Sequence, residues 1–243
     1  MGTKAVEPRA IRNVVLFGDL DGTTGLAQRL ARLSGNRPAP AVIHWATDQV
    51  EHTIRVADVS DHPPERSIRV ADGAIAVIDA ATGSTSRLEA MLRAADDYQV
   101  ARLCLITGLD RPGADFDRCV RRITDIRGAV PLPLQIPVGA GVAFDGVIDL
   151  IRMPASAEIP GSSWRIAEPW HRALIAAVGE QDTELTPERL HYRIRRLTRL
   201  GEVVPVLCGV SPGSDDLASL LDAVVRYLPS PMDVCQPEHA LDY

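Results

Sequence analysis

Aromatic residues make up only 4% of the 243 residues, so a packed core has to be built from Val, Leu, Ile and Ala. No apolar run approaches the roughly 18 residues of a membrane span. The opening MGTKAVEPRAIRN has no apolar signal core, and a cytoplasmic location is expected. Positive charge is not in excess. The net charge is -6 and the pI about 5.5, which argues against broad nucleic-acid binding but leaves room for a local basic patch. The four cysteines form no CxxC pair. Cys104 and Cys208 lie inside apolar strand-like runs, where a thiol acts as a small hydrophobe rather than a metal ligand.

What is present points to a folded domain. Hydrophobic residues are 46% of the chain and charged residues 24%, enough for one large domain or one domain with an inserted part. Short apolar runs alternate with helical stretches. Strands are expected at residues 13–17, 52–57, 74–78, 101–106 and 203–208. Helices are expected at 22–34, at 84–97 with Ser84 as cap, at 115–127 and at 215–227. Strands spaced by helices predict a parallel sheet covered on both faces. The alternation breaks between 131 and 202. That range holds a proline-rich strand, a hairpin-like FDGVIDL at 144–150, a Pro/Gly/Ser loop and then two helices. It is read as an inserted α+β subdomain, leaving residues 1–130 and 203–243 as the main domain. The tail from Pro229 is expected to be loosely held.

Four segments are similar to the elongation factor G family, in matching order and spacing. They are ERSIRVADGAIAVIDA at 65–80, DRPGADF at 110–116, FDGVIDL at 144–150 and LLDAVVRYLPSPMDV at 220–234. The resemblance runs from about residue 11 to 236, and the relatives' later domains have no counterpart in this sequence. It implies a P-loop GTPase-like three-layer sandwich with a mostly parallel sheet and an inserted α+β subdomain. It also implies a translation-related role, with GTP or GDP and magnesium as the relatives' ligands.

The motifs that would hold those ligands depart from the family's pattern. A phosphate loop reads GxxxxGK[ST], its amides wrapping the phosphates while the lysine reaches the outer two and the hydroxyl holds magnesium. Here residues 18–24 read GDLDGTT, one residue short between the glycines and with no lysine after Gly22. Asp19 adds negative charge where phosphates would lie. Asp19 or Asp21 is expected to cap the following helix in their place. The threonine-bearing first switch is nearly gone, with only about residues 35–51 left before the strand at His52. The family's DxxGH reads DVSDH, so Asp58 and His62 stand but Asp61 replaces the phosphate-facing glycine. The guanine-reading NKxD reads Thr107, Gly108, Leu109, Asp110, keeping only the aspartate. The last base contact falls on Val210, Ser211, Pro212 and Gly213. The residues that could still form a vestigial guanine-nucleotide site are Asp21, Gly22, Thr23, Thr24, Asp58 and Asp110. No residue is assigned to catalysis or to a metal, and no cofactor is expected.

The helix at 187–200 carries Arg189, Arg193, Arg195, Arg196 and Arg199 around a stripe of Leu190, Ile194 and Leu197. Its arginines are either a solvated face or a docking surface for an acidic protein, such as the ribosomal stalk protein that the relatives' inserted subdomain contacts. Trp164, Trp170 and Tyr192 are either that subdomain's core or interface anchors. Two functions follow. One is a pseudo-GTPase that works as an interaction or regulatory module. The other is a weak GTP-binding protein or GTPase using the surviving residues.

Overall fold

The computed structural model describes residues 7–18, 20–35, 41–58, 64–83, 85–126, 130–153, 162–178, 186–209 and 217–234. The chain runs β1 (Ile11–Gly18), α1 (Leu20–Leu33), β2 (Ala41–Thr47), β3 (Val50–Asp58), α2 (Pro64–Arg69), β4 (Gly73–Asp79), α3 (Ser86–Asp97), β5 (Ala101–Thr107) and α4 (Phe116–Thr124). It continues through β6 (Pro131–Pro133), β7 (Gln135–Val138), β8 (Gly146–Asp149), α5 (Ser162–Val178), α6 (Pro187–Arg199), β9 (Val204–Cys208), α7 (Ala218–Tyr227) and α8 (Pro231–Val234).

Seven strands form one sheet in the order β2-β3-β1-β4-β5-β9-β6, parallel throughout except for β2 against β3. All seven residues of β4 are buried, as a strand covered on both faces must be. Helices flank the sheet, giving the α/β layering that the alternation predicts and the P-loop GTPase-like sandwich that the resemblance implies. The core is aliphatic, and Leu16, Ile54, Ile78, Leu103 and Val204 are among its least exposed members.

The structure differs from the sequence reading in several places. Residues 35–51 contain a strand, β2, that was not anticipated. Its hairpin to β3 turns on Asp48 and Gln49 at φ 51° and 64°, the left-handed pair that matches strand twist. Helix α1 starts at Leu20, two residues before the expected start. Helix α3 is capped by Thr85, whose hydroxyl accepts from the Leu88 amide at 3.3 Å; Ser84 lies outside the described residues. The tail is not loose through Val234, because α8 is anchored there and Ser230 is buried.

Residues 131–202 are woven into the main domain. β6 pairs in parallel with β9 and forms the sheet's edge. β7 and β8 make a separate antiparallel pair, in which the segment read as hairpin-like at 144–150 supplies only the second strand. Trp170 on α5 meets Phe116 on α4 edge-on at 5.7 Å, and Trp164 and Trp170 both pack on the common apolar cluster. Tyr192, by contrast, is 69% exposed.

Candidate functional site

In an open parallel sheet, ligands bind beyond the carboxyl ends of the strands. Gly18, Asp79, Thr107 and Cys208 close β1, β4, β5 and β9 at that end. The first three stand beside one another through the registers Gly18↔Val77 and Asp79↔Thr107.

The connection from β1 to α1 decides what this end can hold. β1 ends at Gly18 and α1 begins at Leu20, so a single residue separates strand from helix. A phosphate cradle needs a run of loop amides. Gly18 adopts φ 154°, and a Cβ there would overlap the Val77 carbonyl oxygen. At Gly22 a Cβ would lie 3.2 Å from Val77 Cγ1 and 3.6 Å from Thr107 Oγ1. The two glycines therefore let the chain press directly onto β4, closing the space in which a loop would curl.

The candidate residues are divided by this arrangement. Asp21, Gly22, Thr23 and Thr24 all belong to α1. Thr23 is buried and its hydroxyl has no hydrogen-bond partner among the described residues, while Thr24 is exposed. The Asp21 side chain and Asp19 lie outside the described residues, and so does the expected helix cap. Asp58 is the last residue of β3, opposite Leu16. Asp61, His62 and residues 210–213 are likewise outside the described residues. Asp110 sits in the turn after β5, with a buried Oδ1 lacking a partner among the described residues.

Two arginines that the sequence reading passed over occupy the base-recognition corner. Arg111 pairs with Asp79. Asp79 Oδ1 in turn accepts from the amides of Ala81 at 2.7 Å and Thr82 at 3.2 Å. Arg118 Nη2 donates to the carbonyls of Ala80 at 3.1 Å, Ala81 at 3.0 Å and Gly113 at 3.3 Å. The turns after β4 and β5 are thus tied to each other from within. Gly108, where relatives carry lysine, has φ 69°, and a Cβ would come 3.1 Å from Arg111 Cδ. The arginine fills the position a longer residue would need.

The crevice left beside α1 is small and apolar. It measures about 160 Å³ and is walled by Leu26, Leu105, Val147, Leu207 and Leu220, whereas sites for drug-sized ligands run to roughly 300–1,000 Å³. Gln135 crosses its floor, accepting from the Cys208 amide through Oε1 at 3.2 Å and from the Cys208 thiol through its carbonyl at 3.4 Å. Burial pushes that thiol well above its ordinary pKa, so it is inert.

A family model for the elongation factor Tu GTP-binding domain matches residues 63–230, more than two thirds of the chain. The chain belongs to that family. The match takes in Asp110 and starts after Asp21, Gly22, Thr23, Thr24 and Asp58. Among solved structures, one from Thermus thermophilus has the same fold, with a TM-score of 0.75 at 20% identity. The likeness covers 93% of this chain and 41% of the Thermus chain, so this chain spans about two fifths of that protein's length. A family built around GTP implies a magnesium-bound nucleotide at the carboxyl end of the sheet. The described residues do not fit it there. The strand-to-helix connection is too short for a cradle, the Thr23 hydroxyl is buried, and Gly22 rests on Val77.

Among the described residues, no helix is long and apolar enough to cross a membrane.

Proposed function

We propose that this chain is a pseudo-GTPase, a G domain of the elongation factor type that keeps the fold and works as an interaction or regulatory module. The observation that carries the reading is the single residue between β1 and α1, with Gly18 and Gly22 pressed onto Val77. The internal pairing of Arg111 with Asp79 supports it, because it orders the base corner without a ligand. The partner is an acidic protein in a translation-related setting, of the ribosomal-stalk kind, and it meets the outer face of α6. That face is narrower than the sequence suggests. Arg195 and Arg199 turn inward to Asp233, at 2.9 Å and 3.4 Å, and Arg193 donates to the Val178 carbonyl at 3.2 Å. Arg196 is exposed and provides charge for docking.

One feature favours a second reading, a weak GTP-binding protein. The buried Asp110 Oδ1 lacks a partner among the described residues, and a guanine edge offers two donors to a carboxylate there. Phosphate release from GTP with magnesium, measured on purified protein under single-turnover conditions, separates the two. The pseudo-GTPase reading expects no release above a blank. Release that disappears in Asp110→Ala would establish the alternative. Arg196→Glu should weaken capture of an acidic stalk-type protein while leaving the melting temperature unchanged.

A further inference from the structure

The end of the sheet opposite the crevice carries a cavity of about 320 Å³, lined by Arg12, Arg195, Arg226, His52 and His191 with Asp48 at its mouth. Its walls come from β1, the β2–β3 hairpin, α6 and α7, four elements distant in sequence. Three guanidiniums face one lining carboxylate, that of Asp48, which is 64% exposed and holds Arg226 at 2.8 Å.

The basic groups are fixed in place. Arg12 is 2% exposed. Its Nη2 donates to the Val225 carbonyl at 2.8 Å, and its Nη1 to the carbonyls of Arg9 and Ile11 at 2.8 Å each. Arg195 Nη1 donates to Val225 and Arg226 carbonyls at 3.0 Å each, and its Nη2 reaches Asp233. His191 Nδ1 is 2.7 Å from the Tyr227 hydroxyl. Holding the C-terminus of α7 accounts for the contacts to the Val225 and Arg226 carbonyls. It does not account for the convergence of Arg226, His52 and His191 on the same space. Nor does it account for the two nitrogens left over. Arg12 Nε and His52 Nδ1 are buried with no hydrogen-bond partner of their own among the described residues, although the His52 ring also meets the backbone at Ala10. His52 is itself only 9% exposed. A fixed cluster of guanidiniums suits an anion with several equivalent oxygens, because each oxygen can take a charge-assisted hydrogen bond without reordering a side chain. The cavity is also larger than a bare oxyanion needs. It is rimmed by Tyr192 and Val50, both large and exposed.

We propose that this cavity binds a phosphomonoester, with the phosphate dianion beside Arg195 and Arg226, the buried charge of Arg12 behind them, and a small aromatic or apolar body against Tyr192 and Val50. This site is separate from the crevice beside α1. Guanidiniums supply its positive charge, so it takes its ligand without magnesium.

Calorimetry with phenyl phosphate in magnesium-free buffer tests the proposal, with benzoate as the monoanionic counterpart. Saturable binding of one phenyl phosphate per chain is expected, tighter than that of benzoate. Arg226→Gln should weaken it about tenfold or more, the equivalent of one charge-assisted contact. Asp48→Asn should strengthen it several-fold by removing the competing carboxylate. Both positions lie at the cavity mouth, so an unchanged melting temperature shows that each variant is folded. The proposal is overturned by the absence of saturable binding, by benzoate binding as tightly as phenyl phosphate, or by an affinity that both substitutions leave unchanged.

Discussion

At the carboxyl end of the sheet, β1 turns into α1 across one residue and two glycines bring the chain onto Val77. At the amino end, Arg12 and Arg195 reach across from β1 and α6 to the carbonyls that finish α7, and Asp233 fastens Arg195 and Arg199 behind them. One end is closed by removing side chains, while the other is lined by long charged ones. In a ligand-dependent domain, the carboxyl end would be the one kept open. Here it is the tightly packed one, and the cationic cavity has formed at the opposite end. If the proposed function is right, a G-domain fold can persist when its ordering no longer comes from a nucleotide.

The largest effect should come from disturbing the packed end. Gly18→Ala places a Cβ onto the Val77 carbonyl at a backbone angle that disfavours it. Denaturant unfolding should show a loss of about 3 kcal/mol or more. A loss near zero would mean that β1 and β4 part easily there, leaving room for a phosphate. At the other end, Arg195→Met leaves Asp233 half-buried without its closest guanidinium. Burial works against the charge of Asp233, but the Ser230 hydrogen bonds together with Arg195 and Arg199 outweigh it and hold its carboxyl below the ordinary range. The variant should lose roughly 2 kcal/mol by the same measurement.

The amino end also sets an acid limit. His52 is held below its ordinary pKa of 6.5 by burial and then by Arg12 and Arg195, and His191 by burial and then by Arg226. Both stay neutral to lower pH in the folded protein than in the unfolded chain, which takes up protons as pH drops through 6.5. Stability is therefore full above that pH and falls below it. Unfolding midpoints recorded between about pH 8 and pH 5 should fall on the acid side. His52→Gln should flatten that slope, and an unchanged slope would remove His52 from the account. The smallest effect is at Thr23. Its buried hydroxyl has no partner among the described residues, so Thr23→Val should change stability by less than about 1 kcal/mol, towards stabilisation. A functional magnesium ligand would not tolerate that change.

The strands were legible because β4 carries the apolar run AIAVI and β5 the run LCLI, and a strand buried on both faces needs such a run. β2 was not, because His44 and Trp45 interrupt AVIHWAT and only the hairpin with β3 decides its state. The degraded motifs could be read letter by letter, but not what replaced them. Nothing in DRPGADF says that Arg111 reaches back to Asp79, since that contact spans 32 residues. The arginines of α6 show the same limit. Their spacing gave the buried stripe of Leu190 and Ile194, but not that Arg195 and Arg199 serve Asp233 within the chain. The cavity at the amino end joins four distant segments and left no local signal.

The central claim is that the carboxyl end of the sheet no longer holds a guanine nucleotide. Titration calorimetry of the purified protein with GTP and with GDP, each with and without magnesium, addresses it directly. The account predicts no magnesium-dependent binding tighter than high micromolar for either nucleotide. A submicromolar constant that is lost when magnesium is withdrawn would contradict it.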